Sequence, residues 1–225
     1  MTGELYEKQA DGSLKPVTGP TYVNVLLDES GSMQSMKDEV LSGLAAYFNR
    51  LREDGQEYHV TLAKFDSTHY DEVCHEVPLA EVPQLTAETY RPGAMTPLYD
   101  SIARIVNDRK TGRAITVILT DGLENTSREW TLDRVNALIK EREGQGQTFV
   151  YLGVAPEAWA NAKIFAGTFS FNNVVGSSGA RAVMDSYMTA ASATSTYSST
   201  GAQSGILSDE DLARVREASD RPTPQ

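Results

Sequence analysis

A chain of 225 residues has the length of one α/β domain with appendages. Its hydrophobic fraction of 40% and charged fraction of 23% are those of a globular protein and exclude wholesale disorder. Acidic residues number 31 against 20 basic, a formal charge of -11, which repels phosphate backbones and anionic lipid and argues against nucleic-acid or membrane partners.

Residues 1–19 hold Gly3, Gly12, Pro16 and Gly19 among charged side chains and read as a flexible N-terminal arm or short hairpin. They lack the apolar stretch of a secretion signal. Cys74 is the single cysteine, so an intrachain disulfide and a thiolate metal cluster are both excluded. With that cysteine usage the expected compartment is the cytoplasm.

The first strand expected is Tyr22–Asp28, an apolar run ending in an acid, as in a strand buried on both faces. After the turn at Gly31, the residues Met36, Val40, Leu44, Tyr47, Phe48 and Leu51 recur at helical spacing, and Gly55 closes that helix. Tyr58–Asp66 alternates as a second strand, and Tyr70–Val77 is a candidate hairpin partner for it. Residues 84–97 read as a loop, and Pro97 suits the opening of a helix carrying Leu98, Ile102, Ile105 and Val106. Ala114–Asp121 is a second buried strand that again ends in Thr-Asp. A third helix follows through Leu132, Val135, Leu138 and Ile139, then a strand at Thr148–Val154. Pro156 opens a short helix to about Phe165, and Thr168–Val175 is expected as the last strand. The Ala-, Ser- and Thr-rich stretch 181–200 reads as a weak final helix, Ser198–Gly205 as a flexible linker, and Ser208 as the cap of a short terminal helix. Strand and helix alternate throughout, so the fold class is α/β. The expectation is a Rossmann-like, doubly wound and mostly parallel central sheet with one antiparallel edge strand and helices on both faces.

In such sheets, sites form beyond the carboxyl ends of the strands. Three loops leave those ends with oxygen-bearing residues. Asp28-Glu-Ser-Gly-Ser32 places Asp28, Ser30 and Ser32 at alternate positions of a tight turn. Gly93–Pro97 offers Thr96, and Thr120-Asp-Gly122 offers Asp121. Taken singly, each has a plain structural reading: a polar turn, a helix cap before Pro97, and an Asp-Gly turn. Taken together, hydroxyl and carboxylate oxygens from several loops are what a hard divalent cation requires, Mg2+, Mn2+ or Ca2+ rather than zinc. If the hydroxyls bind directly and an aspartate binds through water, the cation stays electron-poor and retains appetite for an anionic ligand.

The set Asp28-x-Ser30-x-Ser32, Thr96 and Asp121 resembles the metal-ion-dependent adhesion site of von Willebrand factor type A domains. The resemblance spans roughly residues 20 to 176, and no position of the motif departs from the family pattern. It implies that Ser30, Ser32 and Thr96 are hydroxyl ligands of Mg2+ (or Mn2+ or Ca2+), with Asp28 and Asp121 binding directly or through water. It further implies metal-dependent capture of a protein partner that presents a Glu or Asp, with no catalytic residue. The resemblance would divide the chain into the arm 1–19, a type A-like domain at 20–200, and a linker with short helix or tail at 201–225. The missing secretion signal and lone cysteine would suit an intracellular, bacterial or phage-type member. Glu29, Glu124 and Asn125 lie in the same loops and are candidates for the rim a partner meets, against a role as solvated loop residues. His59, His69 and His75 suit surface or strand-pairing roles better than a metal cluster.

Two other functions fit parts of the pattern. A strand-end aspartate beside Mg2+ suits phosphate-ester hydrolysis. Ser30, however, stands where a nucleophile-plus-acid pair would need a second aspartate. A nucleophile elbow fails too, because Ser30 has no glycine two positions before it. The other alternative is a constitutive structural subunit of a larger complex, in which the metal only braces the loops. The partner's identity and the oligomeric state are not written in the sequence.

Overall fold

Three strands buried along nearly their whole length fix the centre of the sheet, because a parallel strand covered on both faces must be apolar on both. They are β3 (Thr21–Asp28), β6 (Ala114–Thr120) and β7 (Thr148–Gly153). The computed structural model describes residues 6–8, 14–16, 19–108, 113–121, 124–153, 174–176, 180–201 and 203. Flanking the centre are β4 (Tyr58–Phe65), β5 (Tyr70–Pro78) and the short β8 (Val174–Gly176). The six-stranded order is β5-β4-β3-β6-β7-β8. All neighbours are parallel except β5, which runs antiparallel to β4 at the edge. The mostly parallel α/β architecture expected from the sequence is therefore the one observed. A separate two-stranded ribbon pairs β1 (Tyr6–Lys8) with β2 (Leu14–Pro16) in the N-terminal arm.

Helices cover both faces. On one lie α1 (Lys37–Glu53) and α4 (Ala180–Thr200); on the other lie α2 (Leu98–Asp108) and α3 (Leu132–Gly144). Alternation along β3 divides its side chains between them. Val23, Val25 and Leu27 join Leu44, Tyr47, Tyr187 and Tyr197, whereas Leu26 joins Ile102, Ile118 and Ile139. A 3-10 turn over Gly31–Met36 precedes α1, and Gly55 at φ 71 supplies the left-handed residue that ends it. Strand order reverses between β3 and β6, since the chain first builds outward through β4 and β5 and then returns to the other side of β3. The crevice at such a switch point is where α/β sheets place ligands.

The structure departs from the sequence reading most at α4. Its Ala, Ser and Thr content suggests a weak helix and then a linker from Ser198. Instead the helix runs unbroken through Thr200, with Val183, Tyr187, Ala190, Ala191, Thr194 and Tyr197 buried. Small residues are what allow it to lie so close to α1. The Tyr47 hydroxyl meets Thr194 Oγ1 at 2.9 Å, and a methyl built on Gly43 would lie 2.3 Å from Tyr187 Cδ2. The far end of α4 is tied down as well. Arg113 donates to the carbonyls of Tyr197 and Ser198, and Tyr197 donates its hydroxyl to the Gly146 carbonyl at 2.6 Å. Gln203, within the expected linker, donates Nε2 to the Glu143 and Gln147 carbonyls at 2.6 Å each. The expected helices at 156–165 and from Ser208, and most of the strand expected at 168–175, lie outside the described residues. Among the described residues no helix is long and apolar enough to cross a membrane.

Gly43→Ala tests the α1–α4 contact. In an exposed helix this change adds about 0.5–1 kcal/mol of stability. Here the methyl meets the Tyr187 ring, and a net loss of about 1–3 kcal/mol is expected from overpacking, read as a lower urea midpoint at unchanged slope.

Candidate functional site

Two loops of the candidate site begin where a buried strand runs out, and the third is the long connection between the edge strand β5 and α2. β3 and β6 lie side by side with Leu27 opposite Leu119, so the residues after them, Asp28 and Thr120-Asp121, emerge together. Asp28 is fully buried at the end of β3. Its Oδ1 accepts the Ser30 amide at 2.7 Å and its Oδ2 accepts the Thr120 hydroxyl at 2.5 Å. The Ser30 and Ser32 hydroxyls stand 3.2 Å apart, and Ser32 donates to Asp121 Oδ1 at 2.7 Å. Four of the five residues singled out in the sequence thus form one hydrogen-bonded chain, Asp28–Ser30–Ser32–Asp121, across two strand ends.

Thr96 arrives on the third loop and is itself buried. That loop is joined to the first by Gly31 N donating to the Ala94 carbonyl at 3.1 Å and Gly93 N donating to the Glu29 carbonyl at 2.8 Å. Ala94 takes φ 54, a left-handed conformation that a non-glycine residue holds only where its surroundings impose it. The Thr96 amide donates to Asn125 Oδ1 at 2.9 Å, and the Asn125 amide returns a bond to the Thr96 carbonyl at 3.2 Å.

The three residues expected on a partner-facing rim do other things. Glu29 is a correction: its side chain is fully buried and faces Lys64 and His69 rather than solvent. Glu124 is half-buried and organises its own turn, accepting the Thr126 and Ser127 amides and the Ser127 hydroxyl. It also accepts the Tyr99 amide at 3.0 Å, satisfying one of the orphan donors in the first turn of α2. Asn125 is exposed, but its amide group is the brace for Thr96. Two contributors to the site had little sequence signal. Thr120 was visible only as the residue before Asp121, and Tyr90, whose hydroxyl donates to the Asp28 carbonyl at 2.6 Å, comes from a loop 62 residues away.

The chemistry of the donor set suits a divalent cation. All five side chains offer oxygen and none offers nitrogen or sulfur, as Mg2+, Mn2+ or Ca2+ requires. Adjacent ligands of an octahedral Mg2+ stand about 2.9 Å apart when its bonds are 2.0–2.1 Å. The observed oxygen separations of 2.7 and 3.2 Å bracket that value. Asp28 carries a charge taken out of water and met by neutral donors, and burial pushes its carboxyl up from 3.8 to about 6; the Thr120 and Ser30 bonds and the nearby Asp121 charge act against and with that burial, respectively. A carboxylate so placed gains from a cation. The residues fit one.

The three histidines are not gathered. His59 packs edge-on to Tyr22, His69 meets Glu29 and Asp66, and His75 stands 3.4 Å from Glu72 and 3.1 Å from Asp108. Glu72, His75 and Asp108 form an exposed group of ligand-type side chains between β5 and the end of α2, away from the candidate site. Burial raises the Cys74 thiol, so it is not an activated nucleophile.

Comparison with solved structures matches this architecture. The pilus adhesin SpaC from Lactobacillus rhamnosus GG superposes with a TM-score of 0.61 at 16% identity, covering 80% of this chain and 31% of that one. Proximal thread matrix protein 1 from the mussel byssus gives 0.58 at 12% identity, covering 77% and 45%. A von Willebrand factor type A structure from Catenulispora acidiphila gives 0.50 at 14% identity, covering 81% and 44%. The chain therefore spans less than half the length of each of these. No protein-family model and no curated protein sequence matches it. The fold is von Willebrand factor type A-like, and at these identities the likeness is one of fold.

The Asp28 carboxyl gives a signed test. Its folded value lies above its unfolded one, so the folded state holds the proton more tightly. Its contribution to stability is complete below about pH 4 and is lost as pH rises to about 6. In chelator-treated protein, Asp28→Asn is expected to remove a loss on the order of 2–3 kcal/mol across that window. Urea denaturation at pH 4 to 8 should then show the variant more stable than the parent at pH 7.5.

Proposed function

We propose that this chain is a metal-dependent protein-binding module. Mg2+, or Mn2+ or Ca2+ in its place, is held by Asp28, Ser30, Ser32, Thr96 and Asp121, and an acidic side chain of a partner protein completes the coordination. The observation that carries this reading is the hydrogen-bonded chain Asp28–Ser30–Ser32–Asp121 at the switch point of the sheet, with the oxygen separations a small hard cation requires. When bound, the cation supplies Lewis acidity toward an anionic oxygen.

The protein's own residues prepare that event in separate ways. Asp28 brings the charge, kept dry by its place at the end of β3. Thr120 and the Ser30 amide hold its two oxygens. Ser32 reaches across to Asp121 and couples the two strand ends. Asn125 and Glu124 hold the third loop and the first turn of α2. With the neutral hydroxyls of Ser30, Ser32 and Thr96 binding directly and an aspartate binding through water, the cation stays electron-poor, which favours a carboxylate from outside. In this reading the site serves binding rather than turnover, since Ser30 stands where phosphate-ester hydrolysis would need a second aspartate. One structural neighbour is a pilus adhesin, which accords with capture of a protein. The lone cysteine accords with an intracellular setting.

The expected outcome is that the wild-type protein takes up Mn2+ or Mg2+ with measurable heat, whereas Asp28→Ala and Ser30→Ala do not and keep their circular dichroism. Proteins recovered on the immobilised chain from a lysate should elute with EDTA. Retention that is unchanged in EDTA would sink the reading.

A further inference from the structure

Glu29 stands between two candidate ligands, yet its side chain turns the other way. Its carboxylate is fully buried, and a carboxylate out of water persists only where cations and hydrogen-bond donors meet it. Oε2 accepts from Lys64 Nζ at 2.9 Å and lies 2.8 Å from His69 Nε2, and Oε1 accepts the Arg91 amide. The main chain of the same residue is equally engaged: its N–H donates to the Phe65 carbonyl at 2.7 Å and its carbonyl accepts from Gly93 at 2.8 Å.

These partners come from three segments. Phe65 and Lys64 close β4. His69 belongs to the turn that Asp66 organises, accepting the Thr68 amide at 2.6 Å and the His69 amide at 3.1 Å. Arg91 and Gly93 begin the loop that delivers Thr96. Lys64 in turn lies 3.2 Å from Asp71 on β5, so the edge hairpin is included. Well-packed apolar side chains would give comparable stability at such a place, because desolvation consumes most of the gain of a buried ion pair. What the charged arrangement adds is direction: only one placement of the loops satisfies every donor around Glu29.

We propose that Glu29, through its pair with Lys64, is a positioning residue for the cation site. It fixes the Asp28–Ser32 loop against the Gly93–Thr96 loop, and so decides whether Ser30, Ser32 and Thr96 face a common point. Its neutralisation by Lys64 also keeps a third carboxylate from competing with Asp28 and Asp121. The inference rests on the metal-binding reading above.

Mn2+ titration calorimetry tests it on the full chain, at a temperature where circular dichroism shows each variant folded. Glu29→Gln keeps the shape, leaves the Lys64 charge unpaired, and is expected to weaken Mn2+ binding by roughly 10–100-fold, the range for residues that orient metal ligands. Adding Lys64→Met removes the stranded charge and should recover part of the melting temperature, while Mn2+ binding stays at least about tenfold weaker than wild type because the pair that orients the loops is still missing. A merely structural role would lower the melting temperature of Glu29→Gln and leave the affinity of the folded protein unchanged, and that result overturns the proposal. So does a double variant restored to wild-type affinity, which would assign the loss to the stranded Lys64 charge. If Glu29→Gln does not fold, the double variant Glu29→Gln, Lys64→Met carries the test, since it removes the pair and strands no charge. A severalfold loss supports the proposal and unchanged affinity overturns it. Wild-type protein that takes up no Mn2+ defeats the metal reading itself, an outcome distinct from wild-type uptake with an unaltered Glu29→Gln.

Discussion

One carboxylate, removed from water at the end of the central strand, constrains the whole candidate-site end of this molecule. Asp28 has β4 on one side and β6 on the other, so no route to solvent runs along the sheet. Its oxygens are met by the first turn of its own loop and by the last residue of β6. The loop closes on itself through the Ser30 amide, and the two strand ends are linked twice, by Thr120 on Asp28 and by Ser32 on Asp121. Disturbing Asp28 therefore disturbs two loops, whereas Thr96 depends on a different set of bonds.

That division gives the site two layers. The inner one consists of short polar side chains that bond one another. The outer one consists of residues that hold loops in place: Tyr90 beneath Asp28, Asn125 and Glu124 against α2, and Glu29 with Lys64 and His69 toward the edge hairpin. Buried polar groups of this kind specify one arrangement when every member is satisfied. The outer layer is why the five ligand-type residues can be presented together from two strand ends and the loop before α2.

Much of this was legible in the sequence, for identifiable reasons. The buried strands β3 and β6 show as apolar runs ending in acids, and the oxygen-bearing residues of the three loops point to one site when taken together, though each alone has an ordinary turn or cap role. The outer layer was not legible. Glu29 looks like a solvent-facing loop residue, because nothing local reveals that Lys64 and His69 will surround it from 35 and 40 residues away. Tyr90 lies in a stretch with no periodicity at all. α4 was underestimated because intrinsic propensity rates Ser and Thr poorly, while its stability comes from tertiary packing that small residues permit.

The antiparallel β5 has a consequence for how the molecule meets others. Among the described residues it leaves one side of its backbone without a neighbouring strand, the kind of surface on which chains zip together into aggregates. Two register irregularities interrupt its pairing with β4, and Asp71, Glu72, His75 and Glu76 punctuate it with charge. A guest strand would find neither a straight ladder nor an apolar flank there. Sheet extension is thereby discouraged along this border.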